Sequence, residues 1–414
     1  MRGLRQHQRL QLTERLTEGG RSPTGPLPRA RKQPGRHAPR HPRLLPWRSR
    51  PATQSRSRAP GAAVGETGAV KVAQARAVAA GWVAEHAAGT AGFAGAFLSG
   101  SAVWLPDEAE LPPASDVDVV VVTAGATAPP KLGKVPWNGV LVEVTYLTWD
   151  AIGPPDAVLG SYHLAGCFRT DTIVADPTGR LTALRAAVSA EHPRRVWVRR
   201  RCRDAELRIA DGLGTLSAAL PVHDRVTAWL FPTGVTAHVV LTAGLRNPTV
   251  RLRYAAARDL LAEYGRLDRY EELLDLLGCA GMTASGAARH LRAMTEVFDA
   301  AVPLARTPFP FSSDITAAAR PVAVDGGRAL VEGGRHREAV FWIAATYARC
   351  LKILSADAPA VAAAHRPAFE DLLADLGVAR PADLERRARR LLGRLPRLRA
   401  LAEEIVAANP DVRD

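Results

Sequence analysis

The spacing of apolar residues between positions 70 and 192 predicts a small unit in which helices flank a sheet. Residues 70–88 carry apolar side chains at helical spacing. The Asn138-Gly139 pair is a turn signal, and residues 181–190 again have helical spacing. Short apolar runs bounded by turn residues predict four strands, at 93–98, 116–123, 140–147 and 172–175. The pattern therefore favours a small mixed sheet with helices at either end.

After residue 192 the pattern changes to helical spacing. Proline, glycine and Asn-Pro breaks separate the helical segments 199–218, 223–245, 251–277, 284–302, 335–354, 366–376 and 382–408. The predicted fold class is therefore α+β. We expect a sheet-containing domain over 63–192, followed by an all-helical C-terminal domain over 193–414.

Nearly all of the net charge lies in the first 60 residues. They contain 15 basic residues, two acids and nine prolines, and they contribute +13 of the total of +14. Such a composition buries too little apolar surface to fold, so we expect residues 1–62 to be a disordered Arg/Pro-rich tail. Translation read from too early a start in a GC-rich gene would explain the composition equally well. The rest of the chain is close to neutral, so overall basicity does not point to nucleic acid.

The cysteines and the hydropathy pattern bear on location. Cys167, Cys202, Cys279 and Cys350 are too widely spaced for a zinc knuckle or a small disulfide framework. No run approaches the ~18 consecutive apolar residues of a membrane-spanning helix, and the tail has no secretory signal pattern. We expect a cytoplasmic protein with no membrane partner.

Three carboxylates lie at the start of or inside predicted apolar strands, where a buried charge is unfavourable unless it has a partner. Asp116 and Asp118 begin a valine-rich run, and residues two apart on a strand project from the same face. Two such carboxylates repel each other unless a cation lies between them, and Mg²⁺ prefers carboxylate oxygens. Glu143 lies inside a second apolar strand, and pairing of the two strands would bring all three acids to one metal site.

Gly100-Ser101 follows the first predicted strand, where the chain has to turn. Glycine lets the backbone approach a ligand closely, and exposed amides with a hydroxyl suit phosphate oxygens. Together with the carboxylates, this pair predicts phosphoryl or nucleotidyl transfer assisted by two Mg²⁺ ions ~3.5–4 Å apart.

These motifs resemble the polymerase-beta-type nucleotidyltransferase superfamily. Its signature is Gly-Ser, a spacer, Ser-Asp-apolar-Asp-apolar and a third carboxylate on a later strand. The matching residues are Gly100-Ser101, Ser115-Asp116-Val117-Asp118-Val119 and Glu143, within residues 81–176. The helical half is similar, in architecture alone, to that of the aminoglycoside nucleotidyltransferases.

The resemblance implies an enzyme that transfers NMP from an NTP to a hydroxyl of a small molecule or a protein. Asp116 and Asp118 would bind the two Mg²⁺ ions, and Glu143 would complete the metal site or act as the base. Gly100 and Ser101 would hold the terminal phosphates. The alternative function is a non-catalytic antitoxin or nucleotide-sensing module with the same fold.

The chain departs from the family pattern in two places. Ala102-Val103-Trp104 stands where the family commonly has a small residue and Arg-Gly, so a phosphate-facing arginine is missing. An acidic insertion over 105–113 lengthens the spacer, and it could reshape the triphosphate pocket.

Other polar residues have a structural and a functional interpretation. Ser115 either belongs to the nucleotide site or caps a turn after Pro112-Pro113, and we favour the turn. Lys131 and Lys134 are interpreted as solvated loop residues, and His163 as a packed or surface histidine, rather than as nucleotide contacts. Seven arginines between 194 and 208 are interpreted as a solvated or salt-bridged helix face, so RNA is a possible partner but not the favoured one.

Overall fold

The computed structural model describes residues 70–247 and 249–414. They form an α+β fold, with a five-stranded mixed sheet followed by a helical C-terminal region, which confirms the predicted fold class at this level. The predicted disordered tail over 1–62 lies outside the described residues. Residues 70–414 belong to one compact unit, and the division at residue 192 stays a prediction.

The two strands that carry the acidic residues lie side by side in the centre of the sheet. The strands are β1 Phe93–Ser99, β2 Val117–Thr123, β3 Gly133–Trp137, β4 Val140–Thr148 and β5 Ile173–Ala175. Their order across the sheet is β3-β4-β2-β1-β5. β2 and β4 are parallel, and the other neighbouring pairs are antiparallel.

Strand β3 is not among the strands expected from the sequence, which indicated a loop there. It contains Lys134 and Pro136, and proline is tolerated only at sheet edges because it cannot donate a ladder hydrogen bond. Asn138 and Gly139 have φ of 44° and 78°, and Trp137 pairs with Val140 on either side of them. Both φ values are positive, as in the two-residue hairpin turn that Asn-Gly favours. Strands β3 and β4 therefore form a tight hairpin at the edge of the sheet.

The helices cover the sheet and then build the C-terminal region. Around the sheet lie α1 Val72–Trp82, α2 Trp149–Ile152, α3 Pro155–Leu159 and α4 Arg180–Glu191. The C-terminal helices are α5 Arg195–Leu213, α6 Val222–Ala243, α7 Arg253–Glu263, α8 Leu267–Leu277, α9 Ala284–Ala301, α10 Gly326–Glu332, α11 His336–Asp357, α12 Pro359–Asp375 and α13 Pro381–Ala408. The expected single helix over 251–277 is two helices, because Gly265 has a φ of 64°, which ends a helix.

Alternation along β2 assigns its side chains to two different cores. Val119 packs in the cluster that contains Ala79 of α1, whereas Val120 packs in the cluster that contains Leu184 of α4. Asp116 and Asp118 have even numbers like Val120, so they lie on the α4 side of the sheet. A third and much larger apolar cluster lies among the C-terminal helices.

Two of the C-terminal helices, α6 and α11, are long and apolar enough to cross a membrane by length and composition alone. In each, more than four-fifths of the most apolar window is buried inside the fold (89% and 83%). Helices that are apolar all round also form the cores of globular proteins, so this is weak evidence, and the absence of a membrane partner stays a prediction.

Candidate active site

The parallel register of β2 and β4 brings the three predicted carboxylates together. Asp118 is the direct partner of Glu143 across the two strands, and Asp116 immediately precedes β2. One oxygen of each carboxylate lies within 4.8 Å of the others. This is the spacing that a shared cation requires, and it agrees with the predicted convergence of these residues.

The Gly100-Ser101 bend lies directly beside Asp118. Ser99, the last residue of β1, pairs with Asp118, and Gly100 then turns the chain with a φ of 66°. A Cβ at Gly100 would overlap the Asp118 carboxylate, so the close approach requires glycine. Asn247 holds the bend from the helical region by donating its Nδ2 to the Gly100 carbonyl oxygen at 3.2 Å.

Ser115 and His163 lie at the edge of the same cleft. The Ser115 amide donates to the Pro112 carbonyl oxygen at 2.8 Å, which confirms the predicted turn. His163 Nδ1 lies 3.0 Å from the Ser161 hydroxyl, and burial lowers the pKa of His163 well below its ordinary value. His163 is therefore a packed, neutral imidazole, which agrees with the structural interpretation.

Lys131 and Lys134 are not solvated, so that interpretation was wrong for both. Lys134 lies on β3 directly opposite Glu143, and its side chain is only 7% exposed. Its ammonium is 2.8 Å from both Asp116 Oδ2 and Asp314 Oδ1, and it also pairs with Glu143. Lys131 pairs with the other oxygen of Glu143. The missed signal was the hairpin, because a strand before Asn138-Gly139 would have placed Lys134 across from the acid.

The helical region adds a fourth carboxylate and two arginines that sequence reasoning did not find. Asp314 ends the short 3₁₀ turn Ser312–Asp314, and Arg349 of α11 pairs with it at 3.0 Å. Arg251 donates to the carbonyl oxygens of Ala114 at 2.9 Å and Gly326 at 3.3 Å. All three side chains line the cleft that contains Asp116.

The ionisation of the carboxylates follows their cation partners. Burial, reinforced by the charges of Asp116 and Glu143, raises the pKa of Asp118 well above its ordinary value. Burial also raises the pKa of Asp116, although Lys134 opposes the shift. Burial acts in the same direction on Glu143, but the charges of Lys131 and Lys134 outweigh it and hold that pKa well below its ordinary value. Asp118 is thus the carboxylate whose negative charge is least compensated.

The acidic insertion packs against α1. Glu108 pairs with Lys71 at 2.6 Å, and Asp107 pairs with Arg76. Arg76 also donates to the Leu105 carbonyl oxygen at 2.8 Å. Asp107 and Glu108 therefore fasten the insertion to this helix, and the residues that line the cleft on either side of the insertion include Trp104 and Ala114.

The arginines between 194 and 208 form mainly ion pairs, as expected for a salt-bridged face. Arg199 pairs with Glu403 at 2.8 Å and Arg203 with Glu206 at 2.9 Å. Arg201 differs because it is buried and donates to two backbone carbonyl oxygens.

The cleft between the sheet and the helical region has a volume of about 210 Å³. It joins the three carboxylates, the Gly100-Ser101 bend and the basic side chains in one space. No family model, curated protein or solved structure matches this chain, and the resemblance to the nucleotidyltransferases therefore depends on the motif residues and their geometry.

Proposed function

We propose that the protein is a Mg²⁺-dependent nucleotidyltransferase that moves NMP from an NTP to an acceptor hydroxyl. The observation that carries the proposal is the convergence of Asp116, Asp118 and Glu143 within 4.8 Å beside the Gly100-Ser101 bend. The sequence motif also supports it, because strand alternation and the pairing of the two acidic strands predicted this convergence.

The side chains fit a divalent cation at Asp118. In the described part of the chain, Asp118 has no ion pair within 4.0 Å, and its neighbours raise the pKa of its carboxyl group. Asp118 and the adjoining Asp116 would hold a cation bound there. When bound, Mg²⁺ stabilises the negative charge that develops on the phosphoryl oxygens during transfer.

The protein groups have separate tasks in this proposal. The amides and hydroxyl at Gly100-Ser101 hold the terminal phosphates, since the bend leaves no side chain between backbone and ligand. Arg251 lines the same cleft. It adds the positive charge that the segment Ala102-Val103-Trp104, directly after Ser101, does not provide. Glu143 is a poor proton acceptor, because its lysines favour the ionised form so strongly.

The cleft limits how an NTP binds. Its volume of about 210 Å³ is below the ~300–1,000 Å³ of most small-molecule sites. At this volume the cleft is small for a complete NTP together with an acceptor. The proposed acceptor is a small molecule or a protein side chain.

Isotope transfer tests the proposal. The protein is incubated with Mg²⁺ and each α-³²P-labelled NTP, alone and with pooled small-molecule or protein acceptors. We expect labelled product with the wild type, none with Asp118→Asn, and undiminished product with the control Asp150→Asn, which changes an exposed carboxylate on α2. In a parallel incubation with γ-³²P-labelled NTPs, label transfer to the acceptor without transfer from the α-labelled NTPs would contradict nucleotidyl transfer, and so would full activity of Asp118→Asn.

A second function is favoured by the lysines themselves. Lys131 and Lys134 neutralise Glu143 without a metal ion. Such an arrangement suits a site that binds a nucleotide without catalysing its transfer. For an antitoxin or nucleotide-sensing module, the same experiment gives NTP binding by equilibrium dialysis and no labelled product with any acceptor.

A further inference from the structure

The ion pairs around Glu143 leave few oxygens for metal ions. One oxygen of Glu143 pairs with Lys131 and the other with Lys134. Lys134 also takes Asp116 Oδ2 at 2.8 Å. In the described part of the chain, Asp118 is the one of these three carboxylates without an ion pair within 4.0 Å, so Asp118 and the adjoining Asp116 are left to hold one shared cation.

The position of Lys134 is fixed by the backbone on both sides. On β3 it lies opposite Glu143, and the preceding Gly133 has a φ of 78°. A Cβ at Gly133 would overlap the Ser313 side chain, so the 3₁₀ turn that carries Asp314 packs directly on the start of β3. The Lys134 ammonium is therefore held between the carboxylates of Asp116, Glu143 and Asp314. Backbone packing around Gly133 and Lys134 fixes this position.

Charge bookkeeping gives the same result. Three carboxylates with two divalent ions carry a net charge of +1. The four carboxylates Asp116, Asp118, Glu143 and Asp314, together with Lys131, Lys134, Arg349 and a single divalent ion, also carry +1. A second divalent ion would add two positive charges to a site whose lysines and arginine are already nearly buried, which is costly.

We propose that the Lys134 ammonium takes the place of one metal ion, so that the site holds a single divalent cation on Asp116 and Asp118. Glu143 is then a lysine-bound positioning residue and no metal ligand. This inference rests on the proposed function and changes its cation count. It also gives a reason for the two lysines, Lys131 and Lys134, that lie beside the acidic strands.

Manganese spectroscopy tests this cation count. The wild type, Lys134→Met and the control Lys71→Met are each mixed with Mn²⁺ and the non-hydrolysable nucleotide α,β-methylene-ATP, and pulsed EPR measures Mn–Mn dipolar coupling. We expect one uncoupled Mn²⁺ in the wild type and in Lys71→Met. In Lys134→Met we expect a second ion, coupled at the ~3.5–4 Å of two-metal sites, because the vacated oxygens become available.

The outcomes separate this inference from the proposed function. Coupled Mn²⁺ pairs in the wild type, together with α-label transfer, would overturn the role of Lys134 and keep the nucleotidyltransferase. No Mn²⁺ bound at all would overturn both. Should Lys134→Met fail to fold, Lys134→Arg keeps the positive charge and is expected to bind one uncoupled ion. Two coupled ions in that variant would contradict the inference.

Discussion

Asp118→Asn is expected to make the metal-free protein more stable while abolishing its cation site. Asp118 is a partly buried carboxylate next to two others, and it has no ion pair within 4.0 Å in the described part of the chain. Burial, and then the charges of Asp116 and Glu143, raise its pKa well above its ordinary value, which means that the ionised form is less favourable in the folded state than in the unfolded state. Asparagine keeps the shape of the side chain and removes this charge.

The magnitude follows from the separation of the carboxylates. At 4.8 Å and an effective dielectric constant of about 20, two like charges repel by about 3.5 kcal/mol. Lys131 and Lys134 offset much of the charge on the neighbours of Asp118. We therefore expect Asp118→Asn to raise the free energy of unfolding by about 1–3 kcal/mol at pH 7 without divalent ions.

Urea denaturation in EDTA and in Mg²⁺ measures this effect. A ligand present at ~100 times its Kd stabilises the folded state by about 2.7 kcal/mol, so Mg²⁺ should stabilise the wild type and have little effect on the variant. In Mg²⁺ the difference in free energy of unfolding between the variant and the wild type should therefore become smaller or change sign. A variant less stable than the wild type in EDTA, or equal stabilisation of both by Mg²⁺, would refute the charge argument, and Asp150→Asn controls for general effects of charge.

Three further predictions concern two close glycine contacts and one buried histidine. Gly100→Ala should destabilise the fold by about 1–3 kcal/mol and displace the Asp118 carboxylate, seen as lost stability in urea and lost Mn²⁺ affinity. Gly133→Ala should force Ser313 away from β3 and lower stability by a similar amount, whereas Gly139→Ala, which meets no neighbouring atom, should cost only its backbone strain. Burial lowers the pKa of His192 to about 3, so on acidification the unfolded state binds the proton before the folded state does. The contribution of His192 to the free energy of unfolding should therefore fall by about 1.4 kcal/mol per pH unit between pH 6.5 and pH 3. A His192→Gln variant whose free energy of unfolding changes with pH as steeply as that of the wild type would contradict this.

The carboxylate cluster was predictable because its information is local. A valine-rich strand fixes the alternation of side chains, so Asp116 and Asp118 had to share a face. Glu143 could be assigned to the same place because an isolated acid in an apolar strand needs a partner. The Asn-Gly pair also marked its turn correctly, although only the strand after it was recognised.

The basic half of the site was not predictable in the same way. Lys134 and Pro136 interrupt the apolar pattern of β3, so the strand looked like a loop, and an edge strand needs no continuous apolar run. Asp314 and Arg349 lie some two hundred residues beyond the acidic strands, and only the packing of the 3₁₀ turn against β3 brings them near. Ion pairs between such distant elements leave no periodic signal in a sequence.

The arrangement of charges separates folding from cation binding. Because Lys134 and Lys131 neutralise Glu143, the central strands can pair before any ion is present, unlike small metal-dependent domains whose ligands come together only around the metal. Among the described residues, the carboxylate of this cluster that is left without an ion pair within 4.0 Å is Asp118, which lies directly beside the Gly100-Ser101 bend. In the proposed function a cation and a phosphate would therefore bind next to each other, and Lys134, which pairs with both Asp116 and Glu143, limits where the cation can bind.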